Sequence, residues 1–292
     1  MPQKIKEFSR LPLNNDYVFK RVFAYQGNEN LLKDFLEAIL NIQIQKIEVQ
    51  NPELPKNYKE QKKGTLDIKV QLNENTIIDV EMQLENEENI DSRSTSYLGK
   101  LVSNQLHTGD FYTQLKKSIV ICILNFEFYK TNNYHNIAKM KFDKATKETY
   151  IDMGYEEEDQ IASSYIQMHF IELPKFIKKN PEVRTKLEQW LWLLAGKEDK
   201  IEMAEEKNKE VRKAVKVLNQ MSMDPKERER CESIALAEFF RRDAERIKFE
   251  KGIKEGERKK QIEIAKELLK LGIKIEDIEK ATKLTKEEIQ KL

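Results

Sequence analysis

Two neighbouring stretches, GTLDIKV at 64–70 and IIDVEMQ at 77–83, decide the fold class of this chain. Both alternate apolar and polar residues with the period of a β-strand, and the polar residues 73–75 between them are typical of a turn. The pattern predicts a β-hairpin in which Asp67 and Glu81 face one another.

The second strand of this hairpin carries further polar groups. Residues two apart in a strand share a face, so Asp79, Glu81 and Gln83 are predicted to lie on one side. A hard divalent cation such as Mg²⁺ prefers oxygen ligands and is commonly held by one or two carboxylates together with substrate phosphate. Asp67 and Glu81 are therefore candidate ligands for a metal that activates water for phosphodiester hydrolysis. The chain has 51 Asp and Glu, however, and acidic residues near a hairpin are common, so the spacing alone also allows a purely structural role.

The order of an N-terminal helix, then LDIKV and then DVEMQ resembles the PD-(D/E)XK nuclease superfamily. More narrowly it resembles the recombination-promoting nuclease (Rpn) family of PD-(D/E)XK transposases. Further stretches that resemble this family run through most of the chain: NNDYVFKRVF at 14–23, RSTSYLGKLVSNQLHTGDFY at 93–112, SIVICILNF at 118–126 and FIELPKF at 170–176. The resemblance implies an α/β, restriction-endonuclease-like core, with a central mixed sheet flanked by helices, followed by a C-terminal helical extension.

The resemblance also implies roles for single residues. Asp67 and Glu81 correspond to the two metal-binding acids of the motif, and with Gln83 they form the implied catalytic set. Gln83 stands where the superfamily pattern has lysine. A lysine would bring positive charge to the attacking water, whereas an amide only donates and accepts hydrogen bonds. The Glu-x-Gln form occurs in this family.

Three other residues are weaker site candidates. Lys69 is predicted on the strand face of the first acid, where it either brings a cation to the site or is a solvated lysine. Asp16 opens the family's Asp-x-x-Phe-Lys pattern and either reaches the metal or caps the first helix. Arg93 and Tyr97 form an i, i+4 pair on one helix face, which either contacts a DNA backbone or packs the helix. For Tyr97 and Tyr112 packing is the prediction.

Composition limits the classes of function. A net charge of +1 excludes a uniformly basic coat for nucleic acid, so DNA binding requires a local patch. Cys122 and Cys231 give no disulfide framework. His107, His135 and His169 lie far apart in the sequence and make no zinc spacing. The sequence contains no apolar signal core and no membrane-spanning run, which predicts a cytoplasmic protein with no membrane partner.

Changes in composition predict three regions: a nuclease-like core at 1–196, a charged helical arm at 197–260 and a small, helix-turn-helix-like helical tail at 261–292. Trp190 and Trp192 lie near the end of the core. Their apolar context predicts packing rather than stacking on bases.

The arm has a local excess of positive charge. Residues 241–260 contain nine Lys or Arg and five Asp or Glu, and the candidates for nucleic-acid contact are Arg258, Lys259 and Lys260. Such contacts would weaken as salt rises, but a charged helix face is also commonly just solvated. The tail is compatible with DNA contact and with protein contact, including a homo-oligomer formed through the C-terminal helices.

The main hypothesis is a Mg²⁺- or Mn²⁺-dependent DNA endonuclease, and the resemblance implies a role in DNA recombination or mobile-element biology. One alternative is a catalytically inactive nuclease fold that binds DNA or a protein through its helical tail. A second alternative is a true transposase with three carboxylates, for which Asp16 is the candidate third acid.

Overall fold

The computed structural model describes residues 10–50, 68–73, 75–84, 89–141 and 161–292. The chain divides into two compact units, Met1–Arg228 and Glu229–Leu292. The first unit contains all of the described strands, and the second is helical.

The described strands form one mixed sheet. They are β1 (Ile47–Val49), β2 (Ile68–Leu72), β3 (Thr76–Gln83), β4 (Lys117–Leu124), β5 (His135–Lys141) and β6 (Ile161–Glu172), in the spatial order β1-β2-β3-β4-β6-β5. Strand β2 is antiparallel to both β1 and β3. Strands β3, β4 and β6 run parallel to one another, and β5 is antiparallel to β6. The two central parallel strands, β3 and β4, are buried along nearly their whole length, as expected when both faces of a sheet are covered. The predicted mixed α/β core is therefore confirmed.

The predicted hairpin is formed by β2 and β3, which pair in antiparallel register. Asn73, in the turn, has φ 48°, a left-handed conformation that asparagine tolerates better than most residues. Its side-chain oxygen accepts hydrogen bonds from the backbone amides of Gln45 (3.2 Å) and Lys46 (3.0 Å). The turn therefore also anchors the chain that enters β1.

Within the described residues the first unit contains seven complete helices, which are α1 (Asp16–Phe23), α2 (Glu29–Leu40), α3 (Ile90–Ser103), α4 (Leu173–Lys179), α5 (Lys186–Ala195), α6 (Glu198–Lys207) and α7 (Lys209–Met223). Helix α3 covers one sheet face, where its Leu98 and Leu101 pack with Val120, Cys122 and Leu124 of β4. Helix α1 contacts β3, and α2 contacts β1.

An aromatic cluster joins α1, α2 and α5. The ring of Trp190 lies 5.5 Å from that of Phe23 and 5.6 Å from that of Phe35, measured between centroids. Trp192 packs on Phe176 at 4.5 Å. Both tryptophans are at most 2% exposed, which confirms their assignment to the core and leaves neither ring accessible to a base.

Two helices within the predicted charged arm contribute to the first unit. Helix α7 contacts α1, α2 and α5, and it buries Val211, Val215 and Leu218 to 2% exposure or less. Its partners extend to the start of the described chain, where the backbone amide of Leu11 donates to the hydroxyl of Ser222 at 2.8 Å. The spacing of its apolar residues places them on one helix face, although the sequence around them is strongly charged.

The remaining helices are α8 (Pro225–Lys270), α9 (Ile275–Thr282) and α10 (Lys286–Gln290). The second unit has a small core of its own, formed by Ala265, Ile278, Leu284 and Ile289. Thr285 and Glu288 form the capping box that begins α10. No helix in the described part of the chain is both long enough and apolar enough to cross a membrane.

Candidate active site

Strand β3 carries three polar side chains on one face. Asp79, Glu81 and Gln83 alternate with apolar residues and are 0%, 1% and 8% exposed. The register places Lys69 of β2 directly opposite Asp79, so the lysine shares their face. Asp67 immediately precedes β2 in sequence and lies outside the described residues. The common face of the three β3 residues is observed, whereas the position of Asp67 stays a prediction.

Glu81 and Gln83 are in direct contact. The amide Nε2 of Gln83 donates to Oε2 of Glu81 at 3.4 Å. The parallel register sets the two residues beside Cys122 and Leu124 of β4, on the face that α3 covers. A carboxylate taken out of water needs hydrogen bonds or a cation to offset its lost hydration. A cation bound beside Glu81 would offset that lost hydration.

The donor atoms at this position are of the type that a hard divalent cation prefers. Glu81 offers carboxylate oxygens and Gln83 an amide oxygen. Among the residues described, no group of three or more His, Cys, Asp or Glu side chains is arranged to hold a metal ion. The residues present fit such a cation in chemical type, and the second predicted carboxylate ligand is Asp67.

The start of α1 lies at the carboxyl end of β3. The backbone amide of Asn125, just after β4, donates to the carbonyl oxygen of Gln83 at 2.9 Å. The side chain of Asn125 in turn accepts from Nδ2 of Asn14 at 3.4 Å. Asn125 therefore connects the end of β3 to the segment that carries Asp16.

The interpretation of Asp16 as the helix N-cap is wrong, because Asn15 occupies that position. Asn15 has extended backbone angles, and its side-chain oxygen accepts from the backbone amide of Val18 at 3.2 Å. Asp16 is the first residue of α1, and its Oδ2 lies 3.4 Å from Nζ of Lys20. A site role for Asp16 stays a prediction.

Arg93 and Tyr97 form the expected i, i+4 pair on α3. Nε of Arg93 donates to the hydroxyl of Tyr97 at 2.8 Å. Tyr97 is 6% exposed and belongs to the core beneath the helix, so the packing prediction is confirmed for this tyrosine. The side chain of Arg93 is thus anchored to a residue of the core that α3 forms with β4.

The packing prediction is wrong for Tyr112, which is 87% exposed. Helix α3 ends at Ser103, and Tyr112 lies beyond it in a short 3-10 turn, so the helical spacing that predicted burial no longer applies. Gln105, in the same connection, accepts from the backbone amide of Lys116 at 2.8 Å and donates to the hydroxyl of Ser118 at 2.7 Å. Its role is structural.

Glu172 is a buried acid that sequence reasoning did not single out. It ends β6 with 0% exposure, and it accepts hydrogen bonds from the backbone amide of Phe128 (2.7 Å) and from Nζ of Lys175 (2.8 Å). Lys175 also donates to the carbonyl oxygen of Tyr129 at 2.5 Å. These contacts fix the segment after β4. The sequence feature that could have predicted this buried ion pair is an acid inside the apolar run FIELPKF, with a lysine three residues later.

Tyr129 links that segment to the face under α3. Its ring lies 4.9 Å from that of Phe170, between centroids. Burial, followed by the proximity of Cys122, Asp91 and Glu172, raises the pKa of Tyr129 to about 12. The phenol therefore stays protonated at neutral pH and can donate a hydrogen bond on the α3 side of the sheet.

His135 and His169, which are far apart in sequence, meet in the fold. The antiparallel pairing of β5 with β6 brings them together, with Nε2 of His135 2.8 Å from Nδ1 of His169. Nε2 of His169 lies 2.6 Å from Nε2 of Gln167. His169 is on the sheet face opposite to Glu81, because it pairs with Ile121, whose side chain points away from that of Cys122.

The predicted nucleic-acid contacts of the arm lie in the second unit. Lys259 and Lys260 are exposed on α8. Arg258 is partly buried and forms an ion pair with Glu288, the residue of the capping box. At least one of the three cations therefore contributes to the internal structure of its own unit.

A model of the protein family described as PD-(D/E)XK nuclease family transposase matches residues 13–244. The match begins before α1, includes the whole described sheet and ends within α8. No curated protein and no solved structure matches the chain.

Proposed function

We propose that this chain, which belongs to the PD-(D/E)XK nuclease family transposases, is a metal-dependent endonuclease that hydrolyses phosphodiester bonds in DNA. The observation that supports the proposal is the buried pair of Glu81 and Gln83 on a hairpin strand at the centre of the sheet. The biological role we propose is in DNA recombination or the movement of mobile DNA, in keeping with the family.

In this proposal Asp67 and Glu81 hold Mg²⁺ or Mn²⁺. A bound divalent cation polarises a phosphoryl oxygen and lowers the pKa of a coordinated water. Gln83 orients the attacking water through its amide, which its position beside Glu81 allows. Lys69, opposite Asp79, is proposed to supply the positive charge that a lysine at position 83 would otherwise bring. Asp16 and Arg93 are proposed to approach the substrate from α1 and α3.

The test is nicking of supercoiled plasmid with Mg²⁺, Mn²⁺ or EDTA. Asp67→Asn and Glu81→Gln remove one charge each with little change in shape. We expect each to lower nicking by at least the roughly 10- to 100-fold that loss of a residue supporting a metal ligand costs. Glu48→Gln is the matched control, because Glu48 is exposed on β1 of the same sheet. Circular dichroism establishes that all proteins are folded. Nicking that persists in EDTA, or in both site variants, would contradict the proposal.

The second candidate is a nuclease fold without turnover that binds DNA or a protein. The observation that favours it is Gln83 itself, because an amide cannot supply the charge of the lysine in the superfamily pattern. Calorimetric titration with Mn²⁺ and DNA binding in EDTA separate the candidates. DNA binding without nicking under any metal would support the inactive fold. Strand transfer that depends on Asp16 would instead support a three-carboxylate transposase.

A further inference from the structure

The connection from α3 to β4 presents two adjacent aromatic rings to solvent. Phe111 is 73% exposed and Tyr112 is 87% exposed. An aromatic side chain buries roughly 150–250 Å² when it is covered, so an exposed pair forgoes a large hydrophobic gain. Exposed apolar groups that lie next to one another commonly mark an interaction surface.

The backbone that carries these rings is held in place by polar contacts. The side chain of Gln105 bonds to the hydroxyl of Ser118 at 2.7 Å and to the backbone amide of Lys116 at 2.8 Å, which ties together the two ends of the connection. The carboxylate of Asp110 accepts from the backbone amide of His107 at 2.7 Å, just before the rings. Because the backbone is already ordered, little conformational entropy remains to be lost when a ligand covers the rings.

Lysines surround the base of this turn. Lys116 and Lys117 directly follow it. Burial, together with the positive charge of Lys139, lowers the pKa of Lys117, which places the ammonium group of Lys139 in its neighbourhood. Asp110 is the acidic residue of the connection, so the local balance of charge is positive. Rings beside cations are complementary to nucleic acid, because bases stack on rings and phosphates pair with lysines.

We propose that Phe111 and Tyr112 form a stacking platform for unpaired bases of a DNA strand, with Lys116 and Lys117 contacting its phosphates. The inference rests on the proposed function, since it takes DNA as the substrate. The side chain of Lys117 lies five residue steps, or about 17 Å, before Cys122, the neighbour of Glu81, and on the opposite face of the sheet. The platform therefore contacts DNA away from the reacting phosphate, and it favours bases that are unpaired or unstacked.

The test measures binding of the full chain in EDTA to a fluorescein-labelled 20-nucleotide strand and to its duplex. Phe111→Leu with Tyr112→Leu keeps apolar side chains but removes both rings. Stacking energies predict that affinity for the single strand falls about 5- to 100-fold, with an unchanged dependence on salt. A 2-aminopurine base in the strand, quenched by stacking on the wild type, should regain its fluorescence. Tyr25→Leu, which alters an exposed tyrosine on another element, is the matched control and should bind like the wild type.

The lysines give an independent readout. Lys116→Ala with Lys117→Ala should make affinity less sensitive to salt. The negative slope of log affinity against log salt should shrink in magnitude by about 1.4, because each phosphate that a lysine neutralises on a single strand contributes about 0.7. The inference is overturned if the double leucine variant binds and quenches like the wild type. It is also overturned if that variant binds DNA normally but loses a self-association that sedimentation detects in the wild type. Plasmid nicking is measured in parallel. If the wild type neither nicks plasmid nor binds DNA, the proposed function itself has failed, and this result is distinct from the outcomes above.

Discussion

At the scale of single residues, one carboxylate joins three helices of the first unit. Asp34 of α2 accepts hydrogen bonds from Nε1 of Trp190 (2.9 Å), Nδ2 of Asn208 (2.8 Å) and Nζ of Lys186 (2.7 Å). Asn208 is itself the N-cap of α7, where it accepts from the backbone amide of Glu210. Burial raises the pKa of Asp34, but the hydrogen bonds from these partners outweigh it and hold the pKa below its ordinary value.

We expect Asp34→Ala to destabilise the protein by about 2 to 6 kcal/mol. The cost arises from two buried N–H groups, on Trp190 and Asn208, that lose their acceptor at about 1–3 kcal/mol each. Lys186 is half exposed, so its ion pair adds little. Urea denaturation measures the change, and Glu182→Ala, which breaks an exposed pair with Arg184, should leave the unfolding free energy unaltered. An equal effect of both substitutions would contradict this role for Asp34.

The histidine pair makes stability depend on pH. Burial, helped by His135, Lys117 and Lys139, lowers the pKa of His169 to about 3, and burial also lowers the pKa of His135. Both rings are therefore neutral in the folded protein at pH 7. Their mutual hydrogen bond needs one of the two nitrogens to be an unprotonated acceptor, which a neutral ring supplies. In the unfolded chain each histidine takes up a proton near pH 6.5.

Stability should consequently fall as pH drops below about 6.5, because the unfolded state then binds protons that the folded state excludes. A single excluded proton gives a slope of about 1.4 kcal/mol per pH unit. We expect His169→Gln to lower this slope by about 1 kcal/mol per unit between pH 6.5 and 5, measured by urea denaturation. His107→Gln, at an exposed position outside the pair, should retain the wild-type slope. Identical slopes in all three proteins would exclude the pair as the cause.

At the scale of elements, the local sequence pattern predicted features that follow from strand periodicity. It did not predict contacts between segments that are distant in the sequence. The alternation in β2 and β3 predicted the hairpin and the shared face of Glu81 and Gln83, because a strand's period is set by its backbone. The pairing of His135 with His169 depends on the register between β5 and β6, which no local pattern contains. The spacing placed Gln83 beside Glu81, and the resemblance to a known family added its implied role in place of the motif lysine.

The start of α1 shows the same limit at a helix end. Both Asn and Asp are good N-caps, so the pair Asn15 and Asp16 does not by itself show which one caps. The backbone decides, because the residue with extended angles is Asn15. Asp16 does not cap the helix, and it lies in the first turn of α1 near the carboxyl end of β3.

We expect Asn15→Ala to destabilise the protein by about 1 kcal/mol through loss of the cap. Thermal denaturation measures this effect, and Asn30→Ala, at an exposed position inside α2, is the matched control without a cap to lose. Asp16→Ala keeps the cap and should reduce plasmid nicking more than Asn15→Ala does. If Asn15→Ala is the more damaging to nicking, the site role proposed for Asp16 is wrong.

At the scale of the whole molecule, the sheet and its helices depend on sequence beyond residue 196. Helix α7 buries Val211, Val215 and Leu218 against helices of the first unit, and full burial of such side chains stabilises by about 1.5–3 kcal/mol each. Together the three approach the total stability of a typical domain, about 5–15 kcal/mol. The composition of residues 197–260 did not predict this contribution of α7 to stability, because composition averages the charged face of a helix with its apolar face.

We therefore expect a chain ended after Arg228 to fold cooperatively, with a thermal midpoint within a few degrees of the full chain. Ending the chain after Gly196 removes α6 and α7 and should abolish cooperative unfolding. Helix α5 then loses its contact with α7, and Asp34 loses its hydrogen bond from Asn208. Scanning calorimetry and tryptophan emission measure both outcomes. A cooperative transition in the shorter chain would support a nuclease-like core that ends at residue 196, and loss of folding in the longer chain would show that the first unit depends on the second. Plasmid nicking by the longer chain would locate the catalytic machinery within the first unit, leaving the C-terminal helices to bind or regulate.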